Sequence, residues 1–295
     1  MFRKLAAVAA VLLVTTACAK EAESGLRLRT GDAAVSALHR APDAAIDAGT
    51  ARFEMALQMG DEGDPTELVA TGVFDKAAGQ GAFSMDMAPL LQQLGAGDGE
   101  SLPFDLDDAT LEMVIDGDTL YLRSPLFGLF TDADRWLSAS AQELGAAGGF
   151  GVGSTDPTTL LEALRGVGRD PEVVGQEEVR GVPTTHYRAA MSLADALAEV
   201  PEAQRAEAEA AFEQLGDLDT AEVPVDVWVD GDDLPRRVRM DMGAVLAGLA
   251  GGPGRATMTL ELFDYGQPVE IQVPTPDDVR PAAEVLPDVG GMLGS

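Results

Sequence analysis

The sequence predicts an α+β domain built on one large curved antiparallel sheet. Ten segments alternate between apolar and polar residues with the two-residue period of a half-buried strand, and stretches with helical spacing interrupt them. The chain has 295 residues, of which 46% are hydrophobic, so it is long enough to bury a core. Strands interrupted by helices favour one domain with helices packed on a sheet.

The balance of charge excludes one class of partner. Fifty acidic residues outnumber 20 basic residues and give a formal net charge of −30 at pH 7. Because such a chain repels phosphate groups, the composition predicts no nucleic-acid partner. One cysteine and two histidines exclude a disulfide framework and a zinc site rich in Cys and His, so the sequence predicts no metal and no cofactor.

The first 17 residues have the pattern of a secretory signal. A short basic start, Arg3 and Lys4, precedes ten apolar residues at 5–14, which are too few to span a membrane. Small residues then lead to Cys18, and this order resembles a bacterial lipobox. The resemblance implies cleavage before Cys18, acylation of its sulfur with chains such as palmitate, and an anchor on the extracytoplasmic face of the cell membrane. The alternative is a soluble export signal with an incidental cysteine.

The rest of the chain divides into a tether, one domain and a tail. Residues 18–30 are rich in charge and poor in apolar side chains, which suits a polar tether. Residues 31–280 form the single predicted domain, and 281–295 are predicted to be a flexible C-terminal tail. The domain starts with a helix over 31–48, in which Pro42 marks a break or a second short helix.

Strands follow this helix wherever apolar residues alternate with polar ones. In 52–59 the odd positions are large and apolar and the even positions are mostly polar. The pairs Gly117-Asp118 and Arg180-Gly181 predict tight hairpin connections. Strands are predicted at 52–59, 67–75, 81–87, 110–116, 119–124, 172–179, 184–191, 223–230, 236–242 and 257–263, with a short final strand at 269–273.

Helices and glycine-rich segments interrupt the strands. Residues 88–109 and 145–154 are rich in Gly or Asp and are predicted to be mobile loops or insertions. Apolar spacing and capping residues predict helices at 139–144, 156–164 and 201–215, the last of which is strongly acidic. We expect such helices to cover one face of the sheet.

Methionine is concentrated on the apolar phase of the predicted strands. Eight of the eleven methionines fall there, whereas aromatic residues make up only 5% of the chain. Methionine is flexible and polarizable, so a sheet face lined with it suits acyl chains better than sugars or bases, which need aromatic platforms. Packing against helices as core explains the pattern equally well. If a lipid binds, the predicted contacts are Phe53, Met55, Leu57, Met85, Met113, Ile115, Val227, Met240, Met258 and Leu260.

Catalytic motifs are missing from the sequence, and no enzymatic activity is predicted. The chain has no G-x-S-x-G elbow, no H-E-x-x-H and no Walker-type phosphate loop. His186 could act as a general base, but it has no identifiable Ser or Cys partner, so a structural role is favoured. Two acidic groups, at 105–108 and 230–233, lack the pattern of an EF-hand and fit turns on a solvated edge.

Three strand motifs in the second half of the chain resemble a known family. The motifs are G-Q-E-E-V-R-G-V-P-T-T-H-Y-R at 175–188, V-D-V-W-V-D at 225–230 and F-D-Y-G-Q-P-V-E-I at 263–271. They are similar to strands of actinobacterial lipoproteins of the LppX/LprG type. The resemblance implies a half-barrel antiparallel sheet with helices packed on its concave face, related to the carriers LolA and LolB. It also implies an apolar cavity, which in some members carries lipids or lipoglycans across the cell envelope.

Two classes of function are compatible with these observations. The first is a monomeric, membrane-anchored carrier that takes a lipid or an acylated glycolipid between its sheet and helices without catalysis. The second is an anchored interaction or sensor module of the cell envelope, whose core is filled and which presents an acidic surface to a protein partner. A continuous interior cavity favours the first class, and a solid core favours the second.

Overall fold

One large sheet dominates the part of the protein that the computed structural model describes, which is residues 32–60, 65–93, 95, 104–129, 135–140, 171–192, 222–243 and 255–285. The described residues form twelve strands of a single sheet. The strands are β1 (Thr50–Met59), β2 (Thr66–Asp75), β3 (Gln80–Asp86), β4 (Thr110–Asp116), β5 (Thr119–Arg123), β6 (Trp136–Ser140), β7 (Glu172–Val179), β8 (Val182–Ser192), β9 (Glu222–Val229), β10 (Pro235–Asp241), β11 (Ala256–Phe263) and β12 (Val279–Pro281).

The strand order follows the chain in two runs, β1 to β6 and β7 to β11, which meet where β1 pairs with β11, and β12 is added beside β6. Across the sheet the order is β12-β6-β5-β4-β3-β2-β1-β11-β10-β9-β8-β7. Neighbouring strands are antiparallel, except that β12 runs parallel to β6. Among the described strands, β7 and β12 each have a neighbour on one side only, so the sheet is open. The predicted α+β class with a large antiparallel sheet is confirmed, with one parallel pair added at an edge.

The two-residue period locates most strands correctly. The structure confirms ten predicted strands, β1 to β5 and β7 to β11, with each bound within two residues. Both predicted hairpin connections are also confirmed. Arg180 and Gly181 have φ of 50° and 78°, the left-handed pair that a two-residue turn needs, and Gly117 has φ of 58°.

Helix α1 (Asp32–Asp47) covers part of the sheet and contacts β9 and β10. The expected break at Pro42 is wrong, because the helix continues through this residue. Pro42 is fully buried, and its packing offsets the backbone hydrogen bond that a proline cannot donate. The face of α1 that joins the core consists of Leu38 and a stripe of four alanines, namely Ala34, Ala37, Ala41 and Ala45.

Two expectations about short elements are wrong. Strand β6 (Trp136–Ser140) stands where a helix over 139–144 was predicted to begin. Its buried residues Leu137 and Ala139 alternate with half-buried ones, which is the period of a strand. Residues 269–273 form no strand. The last strand is instead β12, whose three residues are too few to show a period.

Two short helices lie in segments that were predicted to be loop or tail. Helix α2 (Ala88–Gln93) opens the excursion at 88–109 and contacts β2. Helix α3 (Ala282–Val285) follows β12. The predicted helices at 156–164 and 201–215, the loop at 145–154 and the signal and tether at 1–30 lie outside the described residues.

Candidate functional site

The strand register collects the predicted lipid contacts on one face of the sheet, which we call the apolar face. One row across five strands contains Leu260, Met55, Ala70, Met85 and Leu111. The next row contains Met240, Met258, Leu57 and Leu68. All ten predicted residues lie on this face, namely Phe53, Met55, Leu57, Met85, Met113, Ile115, Val227, Met240, Met258 and Leu260.

Burial separates these ten residues into two sets. Five are almost fully buried, with exposed fractions of 0% for Val227, 1% for Leu260, 2% for Phe53 and Met113, and 4% for Met240. The other five are half-buried, namely Met55, Leu57, Met85, Ile115 and Met258. The first set therefore belongs to the core of the domain. The second set has side-chain surface left with which to contact a ligand.

The position of α1 accounts for part of this division. Its buried alanine stripe belongs to the same core cluster as Val227 on β9 and Val238 and Met240 on β10. Alanine side chains are short, so the helix packs closely on these strands and protein atoms fill the space between them. The half-buried set lies on other strands, β1, β3, β4 and β11. The candidate site is therefore the apolar face of β11 and β1 to β4.

A glycine shapes the middle of this face. Gly72 on β2 is paired with Phe53 on one side and Phe83 on the other. The two phenyl rings approach each other across the glycine, with centroids 6.4 Å apart and planes inclined by 57°. A Cβ atom at residue 72 would lie 2.6 Å from Phe53 Cζ and 2.5 Å from the backbone oxygen of Ala82. Only glycine leaves room for this arrangement.

The opposite side of the sheet, which we call the polar face, carries a groove of about 490 Å³. It runs over β9, β10, β11 and β1, and it lies on the other side of the sheet from the ten predicted residues. Seven of its nine lining residues are polar or charged, so it does not match the chemistry predicted for a lipid site. The lining residues are Glu54, Ala56, Gln58, Trp228, Arg237, Arg239, Thr257, Thr259 and Glu261.

Ion pairs at one end of this groove centre on Glu261. Arg237 Nη2 lies 2.6 Å from its Oε1, and Arg180 Nε lies 2.6 Å from its Oε2. Arg180 Nη2 also reaches Glu54 Oε2, at 3.1 Å. Burial disfavours the charged form of Glu261, but hydrogen bonds from Arg237 and Arg180 outweigh it and hold the pKa of the carboxyl below its ordinary value.

His186 lies in a second polar contact group on the same face. Its Nδ1 is 3.0 Å from Glu177 Oε1, and its Nε2 is 2.7 Å from Asp226 Oδ1. The imidazole stacks on the indole of Trp228, with centroids 4.1 Å apart and 13° between the planes. Trp228 Nε1 donates to Glu177 Oε2 at 3.1 Å. These four residues, His186, Glu177, Asp226 and Trp228, form what we call the His186 cluster.

The acidic groups singled out in the sequence lie at turns, as predicted, but the expected solvated edge is wrong for Asp230, which is only 5% exposed. The backbone N–H of Asp107 donates to Asp105 Oδ1 at 3.5 Å. Asp230 Oδ1 accepts from the backbone N–H of Leu234 at 3.0 Å, and its Oδ2 accepts from Arg236 Nε at 2.7 Å. Within the described ranges, no group of three His, Cys, Asp or Glu residues is arranged to hold a metal ion.

The predicted acylation site, Cys18, lies outside the described residues. No helix in the part of the chain that the structure describes combines the length and the apolar character needed to cross a membrane.

Comparison with known proteins gives one curated relative and several solved structures. No family model matches the chain. It is 28% identical over 172 residues to an uncharacterized 31.2 kDa protein of Streptomyces griseus, encoded between rplA and rplJ. The match covers 56% of this chain and 54% of the relative, so it spans about half the length of that relative.

Two similar crystal structures are of mycobacterial proteins. One is the lipoprotein LppX of Mycobacterium tuberculosis, with 13% identity, a TM-score of 0.46, and coverage of 81% of this chain and 97% of that one. The other is LprF of Mycobacterium bovis, with 13% identity, a TM-score of 0.46, and coverage of 82% and 97%.

Proposed function

We propose that this protein is an extracytoplasmic lipoprotein, anchored to the cell membrane by acyl chains on Cys18, that binds or carries a lipid or lipoglycan without catalysis. The observation that supports the proposal best is the register of the sheet. It places ten apolar residues from β1, β3, β4, β9, β10 and β11 on one continuous face. The ligand would lie between this face and the helices that the sequence predicts to cover it.

The chemistry of the face supports an apolar ligand. On β1 to β4 and β11, the register places only uncharged side chains on the apolar face. Three of the half-buried residues are the methionines Met55, Met85 and Met258. Their flexible, polarizable side chains adapt to apolar ligands of irregular shape. Binding of an acyl chain to this face would therefore require no charged side chain to lose its hydration, and the methionine side chains could adjust to the shape of the ligand.

A second candidate is an anchored interaction or sensor module of the cell envelope with a filled core and no lipid. The burial of Val227, Leu260, Phe53, Met113 and Met240, each no more than 4% exposed, favours this candidate. Residues packed this closely behave as core rather than as the wall of an open cavity.

Mass spectrometry of co-purified lipids separates the two candidates. The protein is purified as the Cys18→Ala variant, so that no covalently attached acyl chain contributes to the signal. The carrier proposal expects a lipid bearing acyl chains to be extracted in near-stoichiometric amount, and the module expects none above background.

A matched pair of variants on β1 shows where such a lipid binds. Met55 lies on the apolar face, and Gln58 lies in the groove on the polar face. With lipid on the apolar face, Met55→Trp lowers its recovery and Gln58→Trp leaves it unchanged. Equal recovery from both variants would place the lipid elsewhere.

A further inference from the structure

The contacts of His186 depend on its protonation state. A neutral imidazole has one N–H donor and one acceptor nitrogen, whereas carboxylate oxygens only accept hydrogen bonds. The contacts of Nδ1 with Glu177 and of Nε2 with Asp226 are therefore both hydrogen bonds only when both nitrogens carry a proton. We propose that His186 joins β7, β8 and β9 as an imidazolium, and that loss of the Nδ1 proton releases its bond to Glu177, the longer of the two at 3.0 Å against 2.7 Å, and loosens β7.

The groups that face the ring come from each strand packed around it. Glu177 lies on β7, Arg188 beside His186 on β8, Asp226 on β9, and Arg237 on β10 next to Trp228. The side chain of His186 is only 7% exposed, so water does not readily replace a lost carboxylate contact. The imidazolium is thus the form that satisfies both neighbouring carboxylates.

Both carboxylates keep a partner after the proton is lost. Asp226 Oδ1 also accepts from Arg188 Nε at 3.2 Å. Glu177 also accepts from Trp228 Nε1 at 3.1 Å. Because neither acid becomes unpaired, deprotonation does not unfold the domain. It lowers the cost of a local opening at the strand that loses its bond to the ring.

Strand β7 is the strand whose attachment to the sheet depends most on this bond. Among the described strands it is an edge, paired only with β8. Its ladder with β8 is irregular between Val173 and Gly175, and Gly175 stands opposite His186. Val174 in this irregular stretch is 43% exposed. Where backbone pairing is interrupted, the bond between Glu177 and His186 carries more of the attachment of the edge.

The two histidines of the chain make the proposal directly testable. His39 is exposed on α1, so His39→Gln leaves His186 as the one remaining histidine signal in the full chain. Ring ¹⁵N chemical shifts of His186 are followed from pH 5.5 to 8.5, a range in which ordinary carboxylates stay ionised. We expect an imidazolium at the acidic end that converts to a neutral ring as the pH rises. A neutral tautomer throughout the range overturns the proposal.

Amide hydrogen exchange gives the structural readout. Protection factors, which remove the intrinsic effect of pH on exchange, are compared at both ends of the titration. Loss of one charge-assisted bond should lower protection in β7 by about tenfold or more and leave the central strands β1 and β2 unchanged. His186→Gln should abolish this pH dependence, and His39→Gln should retain it. If His186→Gln does not fold, the His39→Gln variant tests the proposal by itself, through the titration of His186 and the protection of β7. Protection of β7 that stays constant across the titration contradicts the proposal.

Discussion

The phenyl ring of Phe53 occupies the space into which a side chain at Gly72 would project. Phe53 Cζ would be only 2.6 Å from a Cβ atom at residue 72, well inside van der Waals contact. The ring therefore crosses β2 and meets Phe83 on β3. This contact joins three neighbouring strands in the buried part of the apolar face.

Gly72→Ala should destabilise the domain. The new methyl group would collide with Phe53 and with the backbone oxygen of Ala82, which cannot move independently of the sheet. Overpacking of this kind costs about 1–3 kcal/mol in the free energy of unfolding, measured by chemical denaturation. Gly175→Ala is the matched control, because a Cβ atom there meets nothing within 4 Å. Equal effects of the two changes would contradict the steric explanation.

Tryptophan substitutions should distinguish the two sets of residues on the apolar face. At Met113 and Met240, which are 2% and 4% exposed, tryptophan has no space and should cost about 1–3 kcal/mol of stability. At half-buried Met55 it should leave the melting temperature nearly unchanged and lower lipid recovery. Equal destabilisation at all three positions, with no lipid in the parent protein, would support the filled module.

Tyr265→Phe should lower the free energy of unfolding of the domain. It should also reduce the loss of stability that occurs as the pH becomes alkaline. The hydroxyl of Tyr265 donates to the backbone oxygen of Pro235 at 2.6 Å, and its loss should cost about 1–3 kcal/mol. Burial raises the pKa of Tyr265. The neutral hydroxyl therefore stabilises the fold below the unfolded pKa of about 10, and this contribution falls as the pH rises further. Stability measured from pH 8 to 11 should fall less in the variant than in the parent.

Glu261→Gln should weaken the ion pairs of the polar face and change the response to acid. The hydrogen bonds from Arg237 and Arg180 lower the pKa of Glu261 against the effect of burial. Its stabilising contribution is complete above the unfolded pKa of about 4.3 and is lost as the pH falls through the lower folded value. Thermal unfolding at pH 7 should show a loss of about 1 kcal/mol. Between pH 5 and 3 the free energy of unfolding should fall less in the variant than in the parent. Equal falls in the two proteins would contradict this role of Glu261.

Cys18→Ala should release the protein from the membrane fraction or leave an unprocessed precursor. One acyl chain binds a bilayer only marginally, whereas two or three retain a protein stably. Fractionation followed by mass determination of the N-terminus distinguishes the outcomes. A mature variant that still sediments with membranes would show that Cys18 is not the anchor.

The sequence predicted the strands with a long amphipathic period or a predicted turn beside them, and missed those with neither. β1 has large apolar residues at its odd positions 53–59, and this period also decides which side chains share a face. β5 has five residues and was predicted because the Gly117-Asp118 turn connects it to β4. β6, also of five residues, and β12, of three, had no predicted turn beside them. Helix α1 continues through Pro42 because of tertiary packing, and the helix propensities of single residues take no account of such packing.

The candidate site was predictable in part for the same reason. Strand phase placed Met55 and Met240 on one face, but their different burial depends on where α1 lies, which no local pattern determines. Of the partners of His186, Glu177 lies in the regular ladder between the predicted Arg180-Gly181 turn and Gly175 opposite His186, so the hairpin alone brings it near the ring. Asp226 was not predictable, because it comes from a strand 40 positions further along the chain.

The pairing of β1 with β11 sets an order of events for a newly made chain. Arg52 stands opposite Phe263, so the central seam of the sheet joins segments far apart in sequence. During synthesis or export, β1 and β2 emerge long before β11 can cover the open edge of β1. Such distant pairings form slowly, and an uncovered strand edge attracts other chains. A chain truncated before residue 256 would expose that edge permanently, so we expect it to aggregate rather than to form a smaller native domain.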